Sequence, residues 1–292
     1  MSSVATHAAP APVRTRRESK SGGWGSPAVY FIALCLVAVT IAPVLYLVLG
    51  GFRSNSQITT DPAGLPDPWR LANYSSVVKM PEFWRMVWNS TFIAVATAAA
   101  VVVLGVMVSF VLARYKFRGR NAMYMLFASG LMFPLAVAIT PLYIMITKSP
   151  LAGTAWGVIL PQIGFGLPQT IIILVPFLAA IPGEIEEAST VDGCSRLGFF
   201  WRMVVPLSLP GVITVGILSF VGSWNSYMLP LYMFANQEQY TLPLGVQMFS
   251  STHSQDTAQV LAFTSLSMLP ALVFFSVFER RIVGGLTGAV KG

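Results

Sequence analysis

Six stretches of this chain carry no Asp, Glu, Lys or Arg: residues 21–52, 86–113, 121–147, 149–183, 203–237 and 257–278. Each holds the roughly 20 apolar residues that a helix needs to cross about 30 Å of hydrocarbon. One such stretch fits a large soluble core, but six in succession describe a polytopic all-α membrane protein. The pattern predicts six transmembrane helices, near 28–50, 87–112, 121–146, 153–180, 209–233 and 257–278. Residues 182–208 interrupt it. Glu184, Glu186, Glu187 and Asp192 gather there with Arg196 and Arg202, between two membrane-length segments. A short polar hinge in that position has to lie at a membrane surface.

Composition agrees. The 292 residues are 55% hydrophobic and only 10% charged, against about 25% charged in soluble domains, and the mean hydropathy is +0.69. A soluble enzyme is excluded. The net charge of +7 is unevenly placed. With the N-terminus in the cytoplasm, thirteen of the 18 Lys and Arg fall on cytoplasmic segments. The excess of Lys and Arg on inner loops therefore puts both termini and the hinge on that side. No basic surface domain is present to bind nucleic acid. Cys35 lies inside the first span and Cys194 in the hinge, so no disulfide is expected. The two histidines, His7 and His253, fall in the tail and in an outer loop, which leaves Cys194 without the partner a thiol nucleophile requires and offers no metal site.

Residues 1–26, rich in Ala, Pro, Ser and Arg, have no apolar periodicity and are expected to form a disordered tail. The longest outer segment, 51–85, contains Pro62, Pro66, Pro68 and Pro81, with Trp84 and Trp88 at the level of an interfacial aromatic belt. Residues 71–80 within it suit a short surface helix. The basic loop Arg114–Arg120 is a topology determinant near anionic lipid. Pro134, Pro141, Pro161 and Pro168, with Gly164 and Gly166, predict kinked third and fourth spans whose freed carbonyls need internal partners or water.

The hinge resolves into two short helices. Carboxylates at 184, 186 and 187 suit the positive end of a helix starting after Pro182-Gly183. Ile185, Ala188 and Val191 share one face of it, and Asp192-Gly193 stops it, because Gly takes the left-handed C′ position without a Cβ clash. A second helix after Ser195 places Leu197, Phe200 and Val204 together and ends before Pro206. A helix that merely anchors a loop on lipid usually carries Lys and Arg on its polar face. This one leads with acid, which favours a protein partner bearing arginines.

Glu187-Ala188-Ser189, then Gly193, then Met203-Val204-Val205-Pro206 resembles the EAA loop of binding-protein-dependent ABC importers, with every spacing matched. Ser189, Met203 and Val205 depart from the pattern by small or apolar exchanges. Asn89-Ser90, the loop Ala113–Arg120, Gly222-Ser223-Trp224-Asn225 and the C-terminal Gly285–Gly292 are similar to carbohydrate-uptake permeases of the maltose-transporter type, the smaller six-span subunit. The resemblance implies a bacterial plasma-membrane subunit that binds no cofactor itself. Its partners would be a second permease, two ATP-binding subunits holding ATP and Mg, and an extracytoplasmic solute-binding protein. It further implies that Glu187 pairs with an arginine of the ATPase, that Gly193 permits the turn, and that Leu197, Phe199 and Phe200 fill the ATPase cleft. The segment 284–292 would reach toward the ATPases, and 235–256 toward the binding protein.

The source of energy is constrained independently. No predicted span contains Asp, Glu, Lys, Arg or His, so a proton relay lacks its usual residues, and no lysine lies in a P-loop pattern. A sodium site built from backbone at broken helices stays open, and with it a secondary carrier lacking an ATPase. The cargo is open as well, a glycerol phosphate or another polar solute being the alternative to a sugar. Trp224, Asn225 and Tyr227, with Gln162 and Gln169 as weaker candidates, have the ring, amides and hydroxyl that bind a sugar. The same residues serve equally as interhelical glue.

Overall fold

The structure is a computed structural model that describes residues 27–249 and 256–290, with side chains as far as Ser276 in the last helix. The predicted tail 1–26 and part of the outer segment 235–256 lie outside the described residues, as do the side chains of the C-terminal segment. The chain divides into two units, 1–44 and 45–292. In the first, the described part of helix α1 (Pro27–Gly50) is apolar and exposed around its circumference, the signature of a helix that faces lipid.

The second unit is all helical among its described residues. Two short helices, α2 (Asn55–Thr60) and α3 (Ala72–Lys79), precede the long α4 (Pro81–Arg114). The pair α5 (Arg120–Gly130) and α6 (Leu135–Thr147) leads to α7 (Trp156–Ala179) and then α8 (Gly183–Val191). Next come α9 (Arg196–Phe199), a π turn at Phe200–Val204, α10 (Val205–Leu207) and α11 (Leu209–Trp224). The chain closes with α12 (Met228–Met233), α13 (Leu242–Gly245) and α14 (Thr257–Val290). Among the described residues four helices are long and apolar enough to cross a membrane unaided; counting two bent pairs as spans gives up to six.

The third predicted span is one of those pairs. α5 and α6 meet at 96° rather than forming one kinked helix. Pro134 supplies no N–H, and the backbone closes the break with short turns, Met132 N to Ser129 O at 3.0 Å and Phe133 N to Gly130 O at 3.3 Å. A proline at the start of α6 costs no helical hydrogen bond, so the chain redirects there at little expense. Pro141, Pro161 and Pro168 instead sit inside α6 and α7. The stretch predicted as a fifth span, 209–233, stops as a helix at Trp224 and resumes as α12. The last predicted span continues as a helix to Val290, through the segment expected to be a tail.

α4 is the central element, packed most extensively on α7 and α11. Its buried face follows helical spacing through Ser90, Ala94, Thr97, Ala98, Val101 and Gly105. Small side chains on this stripe let backbones approach closely, the main source of packing energy once lipid has replaced water. The approach is tightest at Gly105, where a Cβ would overlap the methyl of Thr170 on α7. Gly164, on the same α7, faces open space.

This contrast yields a stability test. Gly105→Val should lower the thermal midpoint of the purified protein by several degrees, consistent with an overpacking cost of about 1–3 kcal/mol. Gly164→Ala should leave it unchanged. Fluorescence-monitored melting in one detergent checks both, and equal midpoints for the two variants would contradict the close-approach account.

Candidate functional site

The hinge is closed by backbone geometry. Gly193 has φ of +73°. The hydrogen bonds from Gly193 N to Thr190 O (3.0 Å) and from Cys194 N to Ser189 O (2.9 Å) are the two bonds of a Schellman C-cap. The next helix starts directly, with the Ser195 hydroxyl accepting from Gly198 N at 3.1 Å. Two helix ends thus satisfy their orphan groups across one glycine and one serine.

The hinge is also fastened to α4. Arg114 donates from Nε (3.0 Å) and Nη2 (2.7 Å) to the Glu186 carboxylate, and from Nη1 to the Ile181 carbonyl at 2.6 Å. The arginine side chain is only 9% exposed. Ser189, 2% exposed, turns inward beside this clasp and donates its hydroxyl to Glu186 O at 2.8 Å.

The side chains facing outward are not those the sequence pattern suggested. Of the expected apolar face, Ile185 packs inward, while Ala188 and Val191 are exposed. Glu187, Asp192 and Leu197 are exposed too. Glu187 makes no hydrogen bond or ion pair among the described residues. Phe199 and Phe200, expected to fill a partner's cleft, are 3% and 4% exposed and pack internally against Phe110, with centroids at 6.3 and 5.1 Å. Their burial anchors the second half of the hinge to α4, so in this conformation neither ring is available to a partner. The helix does not end before Pro206 either. It runs on to Leu207, and the π turn, in which Val205 N bonds to Phe200 O, precedes the proline that cannot donate. The bend into α11 is 77°.

A second feature lies among α4, α7 and α11, a cleft of about 190 Å³ with Thr97, Gln162, Gln169, Ser219, Ser223 and Ser226 on its walls. Gln162 joins all three helices. Its Oε1 accepts from Thr97 Oγ1 at 3.0 Å and from Ser223 Oγ at 2.6 Å, and its Nε2 has no partner among the described residues. Phe165 is the aromatic side chain of the lining. Among the described residues no charged side chain borders the cleft.

The five span residues singled out from the sequence are not brought together. Gln162 and Gln169 share this cleft. Trp224 and Asn225 line a separate, mostly apolar cavity of about 360 Å³ between α11, α13 and α14. Trp224 is 4% exposed and stacked on Phe220 at 5.7 Å. Tyr227 accepts a hydrogen bond from Gln247 at 2.8 Å. Thr97, Ser219 and Phe165 were not singled out; a polar stripe at matching depth on neighbouring spans is the signal that would have found them.

The family profile described as "Binding-protein-dependent transport system inner membrane component" matches residues 102–284, which takes in the hinge and the α7 and α11 walls of the cleft. The chain belongs to that family. It is therefore a multi-pass transport permease subunit. The diacetylchitobiose uptake system permease protein NgcG of Streptomyces coelicolor is 32% identical over 251 residues, covering 85% of this chain and 83% of the relative. The trehalose transport system permease protein SugB of Mycobacterium tuberculosis is 33% identical over 260 residues, covering 88% and 94%. A chain of a bacterial ABC transporter involved in import of the acidic polysaccharide alginate shares the fold, with a TM-score of 0.73 at 18% identity over 88% of this chain and 98% of that one.

For a permease of this family, the clasp at Arg114 fixes how the hinge sits on the bundle. Arg114→Gln or Glu186→Gln alone should leave a partly buried charge unpaired and reduce uptake several-fold with normal membrane insertion. The exchanged pair Arg114→Glu with Glu186→Arg should recover part of it. Uptake assays on the three variants decide, and no recovery in the exchanged pair would remove the ion pair from the account.

Proposed function

We propose that this chain is one of two permease subunits of an ATP-driven importer of a neutral carbohydrate, spanning the membrane six times with both termini in the cytoplasm. Solute arrives on an extracytoplasmic binding protein. ATP is hydrolysed, with Mg, on two partner subunits, one of which grips this chain's hinge. The observation that carries this reading is the two-sided hinge. One side is fixed to α4 by the Arg114–Glu186 pair and by Phe199 and Phe200 against Phe110, and the other presents Glu187, Ala188, Val191 and Leu197 to solvent. A carboxylate set among exposed apolar side chains suits a cleft that is apolar within and bears an arginine. Because the hinge is fastened rather than tethered, displacement of its outer face moves α4 as well.

The cargo is read from the cleft. Hydroxyl and amide groups without a net charge exchange hydrogen bonds with sugar hydroxyls, and an uncharged site holds no counter-charge for a phosphate. An aromatic ring offers its face to sugar C–H groups, and Phe165 is placed for that role. The names of the relatives, a chitobiose derivative and trehalose, support the same class. Gln162 Nε2, without a protein acceptor among the described residues, is the donor we assign to a substrate hydroxyl during passage.

Purification of the tagged chain from its host under mild conditions should recover a second permease and an ATPase whose activity rises with binding protein and sugar. Glu187→Ala with Leu197→Ala should abolish that recovery and uptake while leaving insertion intact. Recovery of wild-type chain alone, without ATPase activity, would overturn the coupling proposal. For the cleft, Gln162→Leu should raise the half-saturating sugar concentration about tenfold, the effect of losing roughly one hydrogen bond of about 1.4 kcal/mol. Trp224→Phe should leave it unchanged. Equal kinetics for Gln162→Leu and wild type would take the cleft out of the pathway.

A further inference from the structure

The bundle carries a third concavity, separate from the cleft and sharing only Leu197 with the outward face of the hinge. It is an apolar groove of about 290 Å³ between the end of α4 and the second half of the hinge. Phe110 and Phe200, both buried, form its floor; Met107 and Val111 on one side and Leu197 and Trp201 on the other are 42% to 67% exposed. The one charged residue in the lining is Arg196. Its guanidinium lies 5.5 Å from the ring centroid of Tyr115 and has no carboxylate partner among the described residues. The chain continues from Tyr115 through Lys116 and Arg118, both exposed.

We propose that this groove holds an anionic glycerophospholipid, an acyl chain lying along Met107 and Val111 and the phosphate meeting Arg196, with Lys116 and Arg118 adding to the local positive potential. Depth favours a lipid over an aqueous protein partner. Met107 and Val111 belong to the uncharged stretch 86–113, and α4 rises about 10 Å from Met107 to Arg114, roughly the distance from the upper acyl chain to the headgroup. An aqueous protein docked on the hinge does not reach hydrocarbon at that level. Trp201, half exposed, occupies the position where an interfacial indole is favoured. The charge balance is one-sided as well, since Arg114 is consumed by Glu186 whereas Arg196 is not. The proposal depends only on α4 crossing the membrane, so failure of the coupling reading leaves it standing.

The test uses the assembled transporter in nanodiscs of equal phosphatidylglycerol and phosphatidylcholine, with retained lipid counted by native mass spectrometry after mild release. Wild type should retain phosphatidylglycerol over phosphatidylcholine about fivefold, the preference that one basic side chain near the surface confers. Arg196→Gln should bring the ratio toward parity, and Met107→Trp, which fills the groove, should lower retention of both lipids. A phosphatidylglycerol with a photoactivatable acyl chain should label wild type near Met107 or Trp201, a readout that needs no variant to assemble. Parity in wild type, a preference unmoved by Arg196→Gln, or labelling confined to other segments would overturn the proposal. So would quantitative crosslinking of Met107→Cys to a partner subunit in the resting complex, since a protein would then occupy the acyl-chain site.

Discussion

The close seam between α4 and α7 is the constraint on which the other features depend. Glycines on both sides, Gly105 of α4 against Thr170 and Gly166 of α7 against Val101, bring the two backbones together. Because the helices approach this closely, Thr97 and Gln162 bond directly at mid-seam and set one wall of the cleft. At one end of the same seam, Arg114 reaches the Ile181 carbonyl, just past the end of α7, and the Glu186 carboxylate on α8. Core, cleft and hinge clasp therefore share one pair of helices, and a change in their separation is felt at all three.

Satisfying backbone polar groups explains where the chain is allowed to bend. In hydrocarbon each unpaired N–H or C=O costs several kcal/mol, so breaks occur where a local device closes them. The Schellman cap at Gly193, the serine cap at Ser195, the Ser208 hydroxyl on the Val204 carbonyl, the π turn before Pro206 and the short turns before Pro134 are five such devices. Ser208 donates its hydroxyl to Val204 O at 2.7 Å, and its own carbonyl accepts from Val212 N at 2.9 Å, so the 77° bend into α11 leaves little backbone unpaired. Prolines without such a device, Pro141 and Pro168 among them, stay inside their helices.

The all-α membrane class was legible because absence of charge over a membrane-length stretch is a property of composition. The turn at Gly193 was legible for a comparable reason, since a glycine after Asp192 at a polar helix end has one local explanation. The directions in which side chains face were not. A helix apolar all round gives no moment to orient it, so nothing in Gly222–Tyr227 revealed that Trp224 points into the aromatic core with Phe220 while Ser223 points to Gln162. In α8 the pattern misled, because the inward-facing positions are Ile185, partly buried, and Ser189, buried, one turn apart, rather than Ile185, Ala188 and Val191. A serine can be buried there only because its hydroxyl returns to Glu186 O, a local bond that residue-type periodicity does not register.

The inward turn of Ser189 also accounts for the division of labour between adjacent carboxylates. On a helix, neighbouring residues lie about 100° apart, so Glu186 and Glu187 cannot both meet Arg114. Burying Ser189 rotates Glu186 toward the arginine, three residues earlier on the same face, and leaves Glu187 pointing away. A carboxylate held by an internal arginine offers little to a partner, whereas an exposed and unpaired one loses only its hydration on docking. The helix thus separates the charge that holds the hinge from the charge that is free to be recognised. That separation is what a coupling element requires: one face rigid with the membrane bundle, the other readable from outside it.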